Sequence, residues 1–345
     1  MRKTIIMLAF AAAVLSGCSK PIETTKNEAA RKYFESWVKI NHPDAKPTTL
    51  GSYIIHEDKG TGKAAGTVEQ NPYVRIDYTM RQLNGTVYAT TSEKLSQQIG
   101  TYEENGTYGP AIFLRGEGHL AVGLEELLKS MNEGGKIEAA VPGWLSGMKT
   151  YSNPKDYLKE VTGTDYVYTI ELKEAISDIK KWEIDSLVRF LAVEYPSVNP
   201  ADTVKAAGNH KKYGFYYIQE KATDCPDSTF TDGTKVYLNY TGRLLNGRIF
   251  DTTDERTAKD AGIYSSGRSY KPTYVNWNQE YDKITMGASS SDVIDGFKFA
   301  LSGMKPHEKG TAIFFSEYGY STNGSGSTIP AYSPLIFEFE LVDGE

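Results

Sequence analysis

The sequence predicts an α+β fold built twice in tandem. Each unit is a bent antiparallel sheet wrapped over one short helix, and an amphipathic helix precedes each. Three observations predict this. Tyr73 to Thr91 (YVRIDYTMRQLNGTVYATT) is restated by Val236 to Thr253 (VYLNYTGRLLNGRIFDTT), with Tyr78 matching Tyr240, Gly85 matching Gly247 and Thr91 matching Thr253 at one offset of 162. Downstream, LAVGLEELLKSM from Leu120 matches VIDGFKFALSGM from Val293 at an offset of 173, so the second copy carries about eleven extra residues in between. A fixed offset over a whole supersecondary unit marks a duplicated domain. Finally, short alternating runs outnumber helical ones, which suits antiparallel strands with few helices.

The elements follow in chain order. Arg2 and Lys3, the apolar run Ile5 to Leu15 and then Leu15-Ser16-Gly17-Cys18 form a secretory signal, too short to span a bilayer as a mature helix. Its end resembles the lipobox of bacterial lipoproteins, which implies cleavage before Cys18, acylation of that thiol and a membrane anchor. Ser19, where an inner-membrane retention signal would have Asp, points to the outer membrane and leaves the exposed face open. In NEAARKYFESWVKINHP, Ala30, Tyr33, Phe34, Trp37 and Ile40 recur at helical spacing and Pro43 ends the helix. In SDIKKWEIDSLVRFLAVEYP, Ile179, Trp182, Leu187, Phe190 and Leu191 do the same after a cap at Ser177 or Asp178, with a stop near Pro196. Stripes holding Trp and Phe are costly to expose, at about 25 cal/mol per Å². These helices should therefore pack on a domain or on each other, the second also spacing the domains.

Strands are expected at SYIIHE, YVRIDYTMRQ, TVYAT, AIFL, KIEAAVP and YVYTIELKE in the first unit. In the second they fall at FYYIQE, KVYLNYTGRLL, RIFDT, KITM, TAIFFS and LIFEFELV. Asn84-Gly85 and Asn246-Gly247 signal two-residue hairpins in which both central residues take positive φ. One helix per unit lies near 120–131 and 292–303. The segments are thus a signal at 1–17, an anchor segment and first helix at 18–50, a first domain at 51–176, a connecting helix at 177–208 and a second domain at 209–345.

Several function classes are excluded. A net charge of −6 without a basic cluster argues against nucleic acid. His42, His56, His119, His210 and His307 are scattered without ligand spacing, so no metal site is expected. With Cys18 used by the anchor, Cys225 is left without a disulfide partner, and Cys225-Pro226 reads as a structural or incidental loop thiol with no histidine nearby. The run Gly116 to Gly123 has the wrong spacing for a dinucleotide loop, and Gly319 to Gly326 lacks the Gly-Lys-Ser/Thr of a phosphate cradle. No Gly-x-Ser-x-Gly elbow occurs.

What remains is an ordered set in the second unit: Tyr-Thr-Gly, Phe-Asp-Thr-Thr, Val-Ile-x-Gly-aromatic, a Tyr in a Gly-rich loop, and Ile-Pro before a Phe-containing strand. Here the sequence resembles the FKBP-type peptidyl-prolyl isomerases, from about Tyr213 to Val342 and more loosely from Gly51 to Glu174. The resemblance implies two tandem FKBP-like domains and a pocket formed by Tyr240, Phe250, Asp251, Val293, Ile294, Phe297, Tyr320, Ile329 and Phe337. It implies that the N–H of Ile294 and the hydroxyl of Tyr320 orient substrate carbonyls, with Tyr240 and Asp251 at the rim. Each motif is weak alone; five in register are specific.

The chemistry asks for such residues. Rotation about X-Pro crosses a barrier of about 18–20 kcal/mol because the planar amide loses resonance. The twisted amide has less charge separation, so a dry aromatic slot favours it over the planar ground state. No triad and no cofactor is needed. Phe and Ile at alternating strand positions are ordinary core residues, but Asp251 beside an apolar pocket has no packing reason. Being at the rim, it should matter little to the core.

There are departures from the family pattern. Phe297 replaces the usual floor Trp, Ser321 a Gly, and Ala331 the second Pro. Between Thr257 and Lys283 the chain is longer, with Tyr264, Tyr270, Tyr274, Trp277 and Tyr281. In the first unit Tyr88-Ala89 stands for Phe-Asp, Leu124 for the floor and Tyr168 for the last wall. That unit is expected to keep the scaffold without catalysis, binding clients, dimerising or spacing. The expected function is isomerisation of proline-containing envelope or secreted polypeptides by the second domain. The rivals are a non-catalytic peptide-binding chaperone, and a scaffold using the Tyr/Trp-rich stretch.

Overall fold

The computed structural model describes residues 26–198, 205–206, 210–211 and 213–344. The signal sequence and Cys18 lie outside the described residues. Among those residues no helix is long and apolar enough to cross a membrane.

The first half runs α1 (Lys26–Asn41), β1 (Lys46–Pro47), β2 (Tyr53–Asp58), β3 (Tyr73–Gln82), β4 (Val87–Thr90), α2 (Glu93–Ile99), β5 (Ala111–Leu114), α3 (Val122–Leu128), β6 (Lys136–Val141), α4 (Pro154–Glu160) and β7 (Tyr166–Ile176). The connecting helix α5 (Ile179–Glu194) and a short ribbon, β8 (Lys205–Ala206) with β9 (His210–Lys211), follow. The second half has β10 (Phe215–Lys221), β11 (Lys235–Leu244), β12 (Ile249–Thr252), α6 (Glu255–Asp260), β13 (Thr273–Asn276), β14 (Thr285–Met286), α7 (Asp295–Gly303), β15 (Lys309–Phe314) and β16 (Leu335–Val342).

Two antiparallel sheets result, ordered β1-β2-β6-β7-β3-β4 with β5 also on β3, and β10-β15-β16-β11-β13-β14 with β12 also on β11. Matching strands occupy matching places, so the repeat in sequence is a repeat in topology. Each sheet has its own core. Leu127, Leu128, Ile137 and Ile170 fill the first, and Phe297, Phe314, Phe337 and Phe339 the second. Gly123 and Gly296, equivalent by the repeat, open the core helix in both copies. An added Cβ would meet Val141 Cγ1 at 2.5 Å in one and the Phe314 ring at 2.4 Å in the other. The fold needs glycine there because the helix must seat close on the sheet.

The hairpin expectation is corrected. Only Gly85 (φ 88°) and Gly247 (φ 85°) take positive φ, while Asn84 and Asn246 do not. The Gly85 and Gly247 N–H groups close turns onto the carbonyls of Gln82 and Leu244, and the ladder shifts register beside each turn. This is a longer loop ending in a left-handed glycine with a bulge, and the Asn side chains accept from the N–H two residues on.

Each amphipathic helix packs on the domain that follows it. In α1, Phe34 and Val38 are buried, Phe34 edge-on to Trp144 at 5.5 Å. The apolar stripe is narrower than its spacing suggested: Tyr33 is 63% and Ile40 78% exposed. In α5, Asp178 is the cap, accepting from the Lys181 N–H, and Ile184, Leu187 and Leu191 pack on Tyr216, Ile313, Phe315 and Ile336. Its Glu183 is buried against the second domain, accepting from the N–H of Ser316 at 2.6 Å and its hydroxyl at 2.8 Å. Burial pushes that carboxyl up to about 7.

More helices occur than the one per unit expected. The short α2, α4 and α6, capped by Ser92, Asn153 and Asp254, are six or seven residues long, too short for apolar periodicity to show. Strand β13 was also missed. It lies at the same offset as β5, so the first offset extends to Asn276. The extra residues of the second copy therefore lie beyond it, at 277–292, where a helical turn at Tyr281–Lys283 and β14 are added. The preceding loop belongs to both copies: Tyr102 stacks on Tyr108 at 5.5 Å, and Tyr264 on Tyr270 at 5.4 Å.

Candidate active site

Strand β11 delivers Tyr240 inward from mid-sheet, β12 delivers Phe250 and Asp251, and β16 delivers Phe337. Val293 and Ile294 end the approach to α7, whose first turn carries Phe297. Tyr320 and Ile329 come from the loop between β15 and β16. Eight of the nine expected residues share one cluster: Tyr240, Phe297, Ile329 and Phe337 buried, with Phe250, Val293, Ile294 and Tyr320 half-buried around them. Asp251 completes the set through the Tyr240 hydroxyl, which donates to its Oδ2 at 2.7 Å.

The slot is aromatic. Phe297 lies edge-on to Tyr240 (5.4 Å), Phe337 (5.3 Å) and Phe339 (4.8 Å), and Phe250 lies edge-on to Phe337 (5.5 Å). Phe297 is 3% exposed, so it forms a closed floor. The glycine of Tyr-Thr-Gly makes this closure possible. A Cβ on Gly242 would lie 2.6 Å from Phe250 Cε2 and 2.9 Å from Phe337 Cε1. Met80 holds the equivalent place in the first copy.

One site residue was missed by sequence reasoning. Arg268 reaches from the loop before β13 to place Nη1 2.5 Å from Asp251 Oδ1, and its Nη2 donates to the Tyr240 hydroxyl at 3.5 Å. Asp251 is therefore not a rim group indifferent to the core, since it accepts from a buried phenol and pairs with a cation. The signal was present in the repeat. Where Asp251 becomes Ala89, Arg268 becomes Gly106, so the pair is kept or lost together.

Burial first, and then the charge and hydrogen bond of Asp251, hold the Tyr240 hydroxyl well above its ordinary range, so it stays a donor. Burial, with Asp251 nearby, also raises Tyr320. The N–H of Ile294, at the cap of α7, has no protein acceptor among the described residues. Ser321 has φ 50°, a left-handed conformation, which accounts for the glycine usual at this place. Paired backbone bonds between Ser325 and Ile329 close the loop.

Most aromatics of the 257–283 stretch are engaged within their own domain. Tyr274 lies on Tyr237, Trp277 on Phe230 with its Nε1 donating to the Leu301 carbonyl, and Tyr281 on Phe299. This weakens the scaffold reading. The expectation that Cys225 has no histidine nearby is also corrected, since His307 lies beside it in space.

The first domain lacks the slot. Tyr88, at the place of Phe250, is 64% exposed and tilts onto Tyr166. Tyr168, at the place of Phe337, is buried with its hydroxyl pushed up to about 12, first by burial and then by neighbouring tyrosines. The core helix instead carries Glu125, paired at 2.6 Å with Nη2 of the fully buried Arg115; Nη2 also donates to the Gly66 carbonyl, and Nη1 donates to the carbonyls of Ala65 and Asn71.

The two domains touch beside the slot of the second domain. The N–H of Thr107 donates to the Ser327 carbonyl (2.8 Å) and its hydroxyl to the Thr328 carbonyl (2.9 Å), the residues just before Ile329. Arg248 donates to the Glu104 carbonyl at 2.7 Å, and Tyr73 meets Tyr332 edge-on at 5.3 Å.

Residues 227–342 match the family model described as FKBP-type peptidyl-prolyl cis-trans isomerase. The chain is 31% identical over 110 residues to the FK506-binding protein of Neisseria meningitidis serogroup B, covering 32% of this chain and 79% of that one. It is 32% identical over 127 residues to FK506-binding protein 2 of Kluyveromyces lactis, covering 36% and 73%. A crystal structure of the three FKBP domains of wheat FKBP73 aligns over 86% of this chain and 98% of that one at 18% identity, with a TM-score of 0.28, too loose an overlay to carry an argument.

Proposed function

Since this chain belongs to the FKBP-type peptidyl-prolyl cis-trans isomerase family, we propose that its isomerisation takes place in the slot of the second domain. The supporting observation is that Phe250, Phe297 and Phe337 meet in one slot there, while Tyr88 at the equivalent place in the first domain is exposed. The proline ring of a client enters between these rings. The N–H of Ile294 and the hydroxyl of Tyr320 hold the carbonyls on either side, and the water-poor walls favour the twisted amide. No proton moves and no covalent intermediate forms. The first domain braces the loop carrying Ile329 through Thr107.

The clients are proline-containing polypeptides of the bacterial envelope. Uncatalysed X-Pro isomerisation takes tens of seconds or longer, slow enough to limit their folding. The location rests on the Leu15-Ser16-Gly17-Cys18 signal. Cys18→Ser should release the protein from membranes, and continued partitioning would remove the anchor from the reading.

The test is isomerisation of a short X-Pro peptide by the full chain. Phe250→Ala should lower turnover at least tenfold, whereas Tyr88→Ala should leave it within twofold. Equal effects would refute the assignment to the second domain. A second reading, a chaperone that only grips apolar segments, is favoured by Phe297 in place of the family Trp. It predicts peptide binding by the wild type without turnover.

A further inference from the structure

Three segments of the second domain converge at the end of the sheet where β10 and β16 finish and β15 begins. The loop after β10 brings Asp224 and Cys225, the turn before β15 brings His307, and the chain after β16 brings Asp343. His307 Nδ1 lies 2.6 Å from Asp224 Oδ1, and its Nε2 lies 2.9 Å from Asp343 Oδ1. Cys225 Sγ lies 3.3 Å from Asp224 Oδ1, and one potential ligand atom from each of Asp224, Cys225 and His307 falls within 4.8 Å of the others. Lys305 ties the two loops together, its Nζ donating to the Pro226 carbonyl at 2.7 Å.

The repeat shows that this histidine is not there for the turn. At the same place the first domain has Gly134, with φ 81°, the residue a left-handed turn favours. The second domain puts His307 there at φ 59°, a conformation uncommon for non-glycine residues that histidine enters more readily than most. The ring so placed stands between two carboxylates and within reach of a thiol.

We propose that Asp224, Cys225 and His307 form a binding site for a divalent transition metal of borderline softness, Zn²⁺ being the natural occupant. A thiolate, an imidazole and a carboxylate make a mixed donor set suited to that ion, with a fourth position left for water. Asp343 is then a positioning residue: by accepting from the distal ring N–H it fixes the tautomer that turns Nδ1 to the metal. Asp224 and His307 must part by roughly 0.7 Å for both to ligate at a tetrahedral angle, which side chains on two surface loops allow. Binding displaces the proton of the Cys225 thiol, which without a cation Asp224 holds above its ordinary range. The site is separate from the aromatic slot and does not depend on the isomerase reading.

The probe is Co²⁺, titrated into the full chain carrying Cys18→Ser, in which Cys225 is the one remaining thiol. We expect one equivalent to bind with a thiolate-to-cobalt charge-transfer band, and Zn²⁺ to displace it. Cys225→Ser should abolish the band. His307→Gly, which restores the residue of the first domain and so should not lower the melting temperature, should weaken binding at least tenfold. Asp343→Asn should weaken it about tenfold while keeping the band. Absence of a thiolate band at stoichiometric metal, or equal affinity in His307→Gly, would overturn the proposal.

Discussion

Asp251 and Arg268 form an ion pair at 2.5 Å beside the slot of the second domain, and the first domain has neither partner, only Ala89 and Gly106. Asp251 also accepts from Tyr240, a phenol buried against the floor ring Phe297. Removing the carboxylate by Asp251→Leu therefore strands a buried hydroxyl, at a cost of about 1–3 kcal/mol. The melting temperature should fall and turnover of an X-Pro peptide should drop several-fold. Adding Arg268→Ala to that background should change little further, because the two residues act as a unit. Unchanged turnover in Asp251→Leu would take both residues out of the site.

Gly242 is tested by one methyl group. In Gly242→Ala the new Cβ would sit 2.6 Å from the Phe250 ring, so Phe250 and Phe337 must part. Overpacking of this kind costs about 1–3 kcal/mol. The folded variant should lose turnover at least tenfold, read by peptide isomerisation alongside circular dichroism. Met80→Gly in the first domain should leave turnover as it was.

Glu183 makes the docking of α5 sensitive to pH. Its carboxyl is raised to about 7 in the folded chain from an ordinary 4.5, so the folded state holds the proton more tightly than the unfolded one. This contribution is complete below the unfolded value and is lost as pH rises through about 7, at roughly 3 kcal/mol by linkage. Melting temperatures between about pH 5 and pH 8 should show the wild type losing ground to Glu183→Gln as pH rises. Parallel curves for the two proteins would show that Glu183 does not titrate in this range.

Thr107 is a contact through which the first domain can act on the loop carrying Ile329. Thr107→Pro removes both the N–H and the hydroxyl that hold Ser327 and Thr328, while Thr107→Ala removes the hydroxyl alone. Each hydrogen bond is worth about 1 kcal/mol. Freeing the loop of Ile329 should raise KM more than it lowers kcat, the proline variant showing the larger effect. Wild-type kinetics in Thr107→Pro would reduce the first domain to a spacer.

The sequence alone determined the duplication and most of the strands, and its resemblance to a known family implied the nine residues that meet around the slot. The duplication and the strands could be read because they are properties of local period and of register between two copies. Alternation along β11 and β16 says which side chains share a face. The offset says that Ala89 and Leu124 replace Asp251 and Phe297 at equivalent places. Even Arg268 was legible in that comparison, once its loop was known to belong to both copies. The tertiary structure alone decided which groups distant in the chain meet: His307 with Asp224 and Asp343, Glu183 with Ser316, Thr107 with Ser327. It also decided which part of an apolar stripe is covered, leaving Tyr33 and Ile40 outside on α1. Such pairings depend on how loops close over a finished sheet. Closure of a loop is set by the whole core beneath it, and no short-range pattern in the chain encodes it.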